Sequence, residues 1–133
     1  MAIILDADVI IRGERGTFDL LSWLEGHADE HFEIAAITVA ELWHGVERAV
    51  GAQRSLRRQY LQAVLAPLPI IPYTELTARE HARVWAELEA VGKMIGFYDV
   101  IVAATALERG SSVATFNRRH FECVPGLKVI GPQ

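Results

Sequence analysis

Cysteine is nearly absent from this sequence. Cys123 is alone in 133 residues, so no internal disulfide can staple the fold, and a reducing compartment is expected. No apolar run approaches the roughly 18 residues needed to span a bilayer. The chain enters a strand-like Ile3-Ile4-Leu5 with no basic leader or cleavage site before it, which adds to the expectation of a cytoplasmic protein. Repeats, low-complexity tracts and linkers rich in Pro, Gly or Ser are missing too, leaving a single domain over residues 1–133 as the expected organisation. Lysine is scarce: only Lys93 and Lys128 contribute to the 13 basic residues. The net charge of −4 argues against bulk attraction to nucleic acid, although the arginines leave room for a local basic surface.

Apolar residues are plentiful, at 51% of the chain, enough for a buried core. Short apolar runs alternate with longer segments of helical period, the pattern of an α/β fold with a mainly parallel sheet. Strands are expected at residues 2–5, 32–37, 68–73, 112–115 and 127–130. The third should be short or at an edge, because Pro72 cannot donate a ladder hydrogen bond. Helices are expected at 17–26, at 38–50, around Leu56, Tyr60, Leu61, Val64 and Leu65, at 77–92 behind a Thr77–Glu80 capping box, and at 99–110.

The segment Ile3-Ile4-Leu5-Asp6-Ala7-Asp8-Val9 sets acids at the end of a strand that should be buried. In an open parallel sheet the functional crevice lies beyond the carboxyl ends of the strands. Asp6 follows the first strand, Glu41 sits in the first turn after the second, and Asp99 opens the helix that leads to the fourth. Gathered at one sheet edge, three carboxylates would repel one another and raise their own pKa values. A divalent cation removes that cost, and hard oxygen donors suit Mg²⁺ or Mn²⁺. Each acid also has a plainer reading. Asp8 fits an N-cap for a helix starting at Val9, Thr38 and Glu41 make a capping box, and Asp99 suits the positive end of a helix dipole. Asp6 alone resists such an explanation.

Four stretches taken together carry a resemblance: ILDADVI, ITVAELWHG, GFYDVIVAAT and VATFNRRHFECVPGLKVI. Their order and separations resemble the PIN-domain ribonucleases, in particular the VapC toxins of toxin–antitoxin pairs. The resemblance implies a three-layer α/β/α sandwich in which Asp6, Glu41 and Asp99 bind Mg²⁺ or Mn²⁺ and hydrolyse RNA, leaving a 3′-hydroxyl and a 5′-phosphate. The substrate class it implies is tRNA or ribosomal RNA. It further implies a VapB-type antitoxin beside the acids, presenting an arginine to them, and a homodimer formed through exposed apolar helix faces. A fourth acid, common in the family, is missing at both Asn117 and His120. One well-occupied cation is therefore expected, with a second arriving only with RNA. Asp8 is expected to cap its helix rather than bind metal.

Thr115 and Thr38 are candidates to orient the acids, Asn117 to offer a neutral oxygen or hold a water, and Asp8, if not spent on capping, to support the site and partly replace the missing acid. Arg54, Arg58, Arg118 and Arg119 are candidates for phosphate contacts. Trp23, Trp43 and Trp85 all fall at core-compatible positions. Two competing functions remain. Asp6-Ala7-Asp8 approaches the DxD signature of haloacid-dehalogenase-like phosphatases, in which the first acid is a nucleophile and the second a general acid. Alternatively, the missing fourth acid would suit a binding or scaffold module without catalysis.

Overall fold

The computed structural model describes residues 2–132. Its strands are β1 (Ala2–Leu5), β2 (His31–Ala35), β3 (Ile70–Ile71), β4 (Ser112–Ala114) and β5 (Val129–Ile130). They form one sheet in the order β3-β2-β1-β4-β5, and every pairing is parallel. β3 is both short and at an edge, as Pro72 led us to expect.

β1 is the middle strand and is covered on both faces, which explains its unbroken apolar run. Ile3 and Leu5 point into a core shared with α1 (Ala7–Arg15), α2 (Leu20–Gly26), α3 (Ala36–Arg48) and α4 (Gly51–Leu65). Ile4 points the other way, into a core with α5 (Glu75–Ala90), α6 (Phe97–Arg109) and α7 (Arg118–Glu122). The result is the expected three-layer sandwich. Connections from β1 to β2 and β2 to β3 cover one face, and those from β3 to β4 and β4 to β5 the other, so the winding reverses between β1 and β4. That reversal opens a crevice at the carboxyl ends of these two strands. Among the described residues no helix is long and apolar enough to cross a membrane.

Several local expectations are corrected. Asp6, not Asp8, is the N-cap of α1, because its Oδ1 accepts from the Ala7 N–H at 2.9 Å. α2 starts at Leu20 rather than 17, where Asp19 accepts from the Ser22 N–H. β2 ends at Ala35 and runs directly into α3, so no loop remains for a Thr38–Glu41 box. Ala35 takes the cap position, and the Thr38 hydroxyl is buried with no hydrogen-bond partner. α5 is capped by Thr74 with Thr77 as its reciprocal partner, which leaves Glu80 free to bind Arg83. The five residues of α7 fall in a segment where no helix was expected; its anchor is the fully buried Phe121.

Trp23 is buried and Trp43 packs against the first core, but Trp85 is 44% exposed. Val84 and Leu88 take the inward face of α5, so Trp85 turns outward. It stacks on His81, which meets Tyr73 and Phe97 edge-on, and Phe97 in turn meets Tyr98. Inside the second layer, Glu33 on β2 is buried and held by a two-pronged bond from Arg109, at 3.0 and 2.6 Å.

Candidate active site

The crevice at the reversal point is lined by acids. Asp6 leaves the end of β1, where its N–H donates to the Ala114 carbonyl and fixes the two strand ends side by side. Its side chain is only 6% exposed. Oδ2 accepts from the Thr115 hydroxyl at 2.8 Å, while the Asn117 N–H donates to that same hydroxyl oxygen at 2.9 Å. A chain of three groups thus links the end of β1 to the start of α7.

Asp8 lies in the first turn of α1 and accepts from the Phe116 N–H, 3.1 Å from Oδ2. The Thr115 Oγ1 lies 3.3 Å from the same oxygen, but its single proton is better placed for Asp6. Asp8 is thus tied to the site from the far side of the crevice, not spent on capping. Arg12, one turn further along α1, lies over the Phe116 ring at 4.2 Å and partly balances its charge.

Asp99 enters from the first turn of α6, where Gly96 is the cap position. A Cβ at residue 96 would stand 3.2 Å from the Asp99 Oδ2, so glycine leaves room for that carboxylate. His120 on α7 approaches the same oxygen with Nδ1, at 3.4 Å, and Asn117 Nδ2 is 2.8 Å from that nitrogen. Glu41 projects from α3, half-buried, one turn beyond the orphaned hydroxyl of Thr38.

The electrostatics show which acids feel each other. Asp6 is pushed from the ordinary carboxylate value of 3.8 to about 7, first by burial and then by the Asp8 charge. Thr115 opposes the rise, Asp99 adds to it, and no basic side chain compensates. Asp8 is raised mainly by burial, against the bonds from Phe116 and Thr115 and the pull of Arg12. Glu41 rises from 4.5 to about 6, through burial and then Asp99. Asp99 is therefore the hub: its charge reaches Asp6, Asp8 and Glu41 alike. Among the described residues no three acid, histidine or cysteine side chains stand close enough to hold an ion as they are. A dication is the species that would offset their shared charge and draw them together.

The arginines are less involved. Arg54 is bonded to Glu47 at 2.7 Å and Arg118 pairs with Glu122. Arg58 and Arg119 are exposed, and none of the four forms a hydrogen bond or ion pair with the site acids. Sequence reasoning ranks Asp8 as a cap before a supporting member of the site, although Asp6 is the better cap, and it reads His120 only as a missing acid. A groove of about 450 Å³ runs beside Glu41, between α1, α3 and α4, with Ile10, Leu42, Val46, Arg57 and Tyr60 in its walls.

Comparison with known proteins agrees with this picture. The PIN domain family profile matches residues 3–127. The VapC ribonuclease Y4jK of Sinorhizobium fredii is 32% identical, over 98% of this chain and 96% of its own. The tRNA(fMet)-specific endonuclease VapC of Salmonella typhimurium is also 32% identical, over 72% of this chain and 71% of its own. The DNA-bound VapBC structure from Salmonella typhimurium superposes with a TM-score of 0.90 at 25% identity, covering 100% of this chain and 99% of that one.

Proposed function

This chain belongs to the PIN-domain family, in its VapC branch, and on that premise we propose that it is a Mg²⁺- or Mn²⁺-dependent endoribonuclease acting as the toxin of a toxin–antitoxin pair. The observation that carries this reading is Asp6: a buried carboxylate raised to about 7, coupled to Asp8 and Asp99, with no basic partner. A structural acid would be neutralised by a nearby arginine, as Glu33 is by Arg109. An acid left this way costs stability and is kept for chemistry.

The donor set fits a hard dication, since Asp6, Asp99, Glu41 and Asp8 offer carboxylate oxygens only. When bound, the cation lowers the pKa of water and offsets the charge that gathers on phosphate oxygens during attack. Asp6 is the central ligand, oriented by Thr115, with Asp99 and Glu41 completing the set. Asp8 joins this acid group, and Thr38 and Asn117 serve the outer shell, where each can hold a water. Arg58 and Arg119 are free to meet phosphates, and Arg54 and Arg118 can do so by leaving their acid partners. Cleavage leaves a 3′-hydroxyl and a 5′-phosphate. tRNA or ribosomal RNA in the cytoplasm is the substrate class, a reading favoured by the tRNA(fMet)-specific relative.

The groove beside Glu41 has apolar walls and an acid at its rim, which suits an antitoxin segment carrying an arginine. That the related Salmonella structure is a VapBC complex supports a VapB-type partner. The exposed aromatic surface of Tyr73, Trp85, Phe97 and Tyr98 is the face for a homodimer, and residues 1–133 act as one catalytic domain. The test is RNA cleavage by antitoxin-free protein with Mg²⁺ or Mn²⁺, with EDTA and Asp6→Asn as controls. Activity must disappear in both controls; cleavage that survives either one would refute the reading. Asp8→Asn cannot serve as an innocent control against a phosphatase mechanism, because Asp8 itself belongs to the site. Hydrolysis of a small phosphomonoester without RNA cleavage would favour that phosphatase alternative instead.

A further inference from the structure

We propose that His120, held by Asn117, adds a nitrogen donor to this acidic site and makes it select a first-row transition dication such as Mn²⁺ over Mg²⁺. The proposal rests on the metal-dependent nuclease reading and concerns which ion the site prefers. The resemblance leads one to expect an acid at Asn117 or His120, and neither is acidic. The structure nevertheless delivers a donor to that place. α7 begins at the Thr115–Asn117 turn, whose hydroxyl also holds Asp6, so its position is geared to the central acid. One turn into α7, His120 turns Nδ1 toward Asp99.

The hydrogen bonding decides what that nitrogen offers. With the Asn117 amide oriented to donate to Nδ1, 2.8 Å away, the ring proton sits on Nε2 and a lone pair on Nδ1, and this is the tautomer that the proposal requires. In that tautomer Nδ1 and Asp99 Oδ2, 3.4 Å apart, are two acceptors facing each other. Neighbouring ligands of a six-coordinate ion with bonds of roughly 2.1 Å lie about 3 Å apart, close to this separation. Exchanging the amide for the ion frees the lone pair, and Asn117 can swing its Oδ1 to a bound water. Mg²⁺ prefers an all-oxygen shell. A neutral imidazole shifts preference along the first-row series, modestly for Mn²⁺ and more for Co²⁺.

The experiment is calorimetric titration of the intact, antitoxin-free protein with MnCl₂, CoCl₂ and MgCl₂ in separate runs, comparing wild type, His120→Ala, His120→Asn and His120→Asp. His120→Ala should weaken Mn²⁺ binding and weaken Co²⁺ binding by roughly tenfold, while leaving Mg²⁺ binding unchanged. His120→Asp should invert the order by strengthening Mg²⁺. His120→Asn keeps a polar partner for Asn117 without a ring nitrogen, and decides the matter should the alanine variant fail to fold. In wild type, substoichiometric Mn²⁺ should broaden the His120 ring signals in a ¹⁵N spectrum ahead of those of the surface His44. Loss of Mn²⁺ and Mg²⁺ in equal measure, or of neither, overturns the proposal but leaves the nuclease reading intact. Wild-type protein that binds none of the three ions sinks both.

Discussion

Replacing Asp6 with Asn should make the metal-free protein more stable at neutral pH while abolishing its activity. The Asp6 carboxyl has an ordinary value of 3.8 in the unfolded chain and about 7 in the fold. Raising an acid's pKa means the fold prefers it protonated. That preference stabilises fully below about pH 3.8 and is lost as pH rises toward 7. The difference of roughly 3 units corresponds to about 4 kcal/mol at 1.36 kcal/mol per unit, lost by pH 7. Asn is neutral at every pH and escapes this loss. Its Oδ1 can still accept from Ala7, and its Nδ2 can donate to Thr115 Oγ1, whose proton then turns to Asp8. Allowing for imperfect replacement, a gain of about 2 kcal/mol or more is expected, or roughly 6 °C in Tm. The assay is thermal unfolding of both proteins in EDTA from pH 5 to pH 8, then again with saturating Mn²⁺. Wild-type stability should fall across this range while Asp6→Asn stays flat, and Mn²⁺ should rescue wild type alone. A variant no more stable than wild type at pH 7.5, or a wild type that gains stability with pH in EDTA, would refute the reasoning.

Three further outcomes follow from single contacts. Arg109→Ala strands the Glu33 carboxylate, whose side chain is 3% exposed, and should cost about 3 kcal/mol in urea unfolding; His31, with Nε2 at 3.2 Å, adds a compensating positive charge only when protonated. Gly96→Ala puts a methyl 3.2 Å from Asp99 Oδ2, so cleavage should fall about tenfold or more with little change in urea midpoint. Trp85→Glu places a charge on an aromatic surface that is already exposed, so light scattering should read a monomer while the far-UV spectrum stays native.

The central strand, the parallel sheet and the edge placement of β3 were legible because each follows from a run of apolar residues or a proline. Helix starts were less legible wherever two cap candidates competed. Asp6 outcompetes Asp8 because its own side chain reaches the next N–H, and Thr74 outcompetes Thr77 because the chain can turn helical as soon as it leaves Pro72. The acids at positions 6, 41 and 99 could be named from strand ends, but not the manner of their coupling. That depends on Thr115, Phe116 and α7, which reach Asp6 and Asp8 from more than a hundred residues away. A five-residue helix held by one phenylalanine leaves almost no periodic trace. His120 stayed hidden for the same reason, since its role is set by where α7 sits.

The side-by-side docking of β1 and β4 also has a temporal side. Synthesis delivers Asp6, Asp8 and Glu41 well before the strand that clamps the first two and the groups after it that orient them. A nascent chain stopped short of Ser112 owns the acids without the frame that aims them. Competence to cleave is thereby tied to the docking of β4 beside β1, and not to the presence of the acids alone.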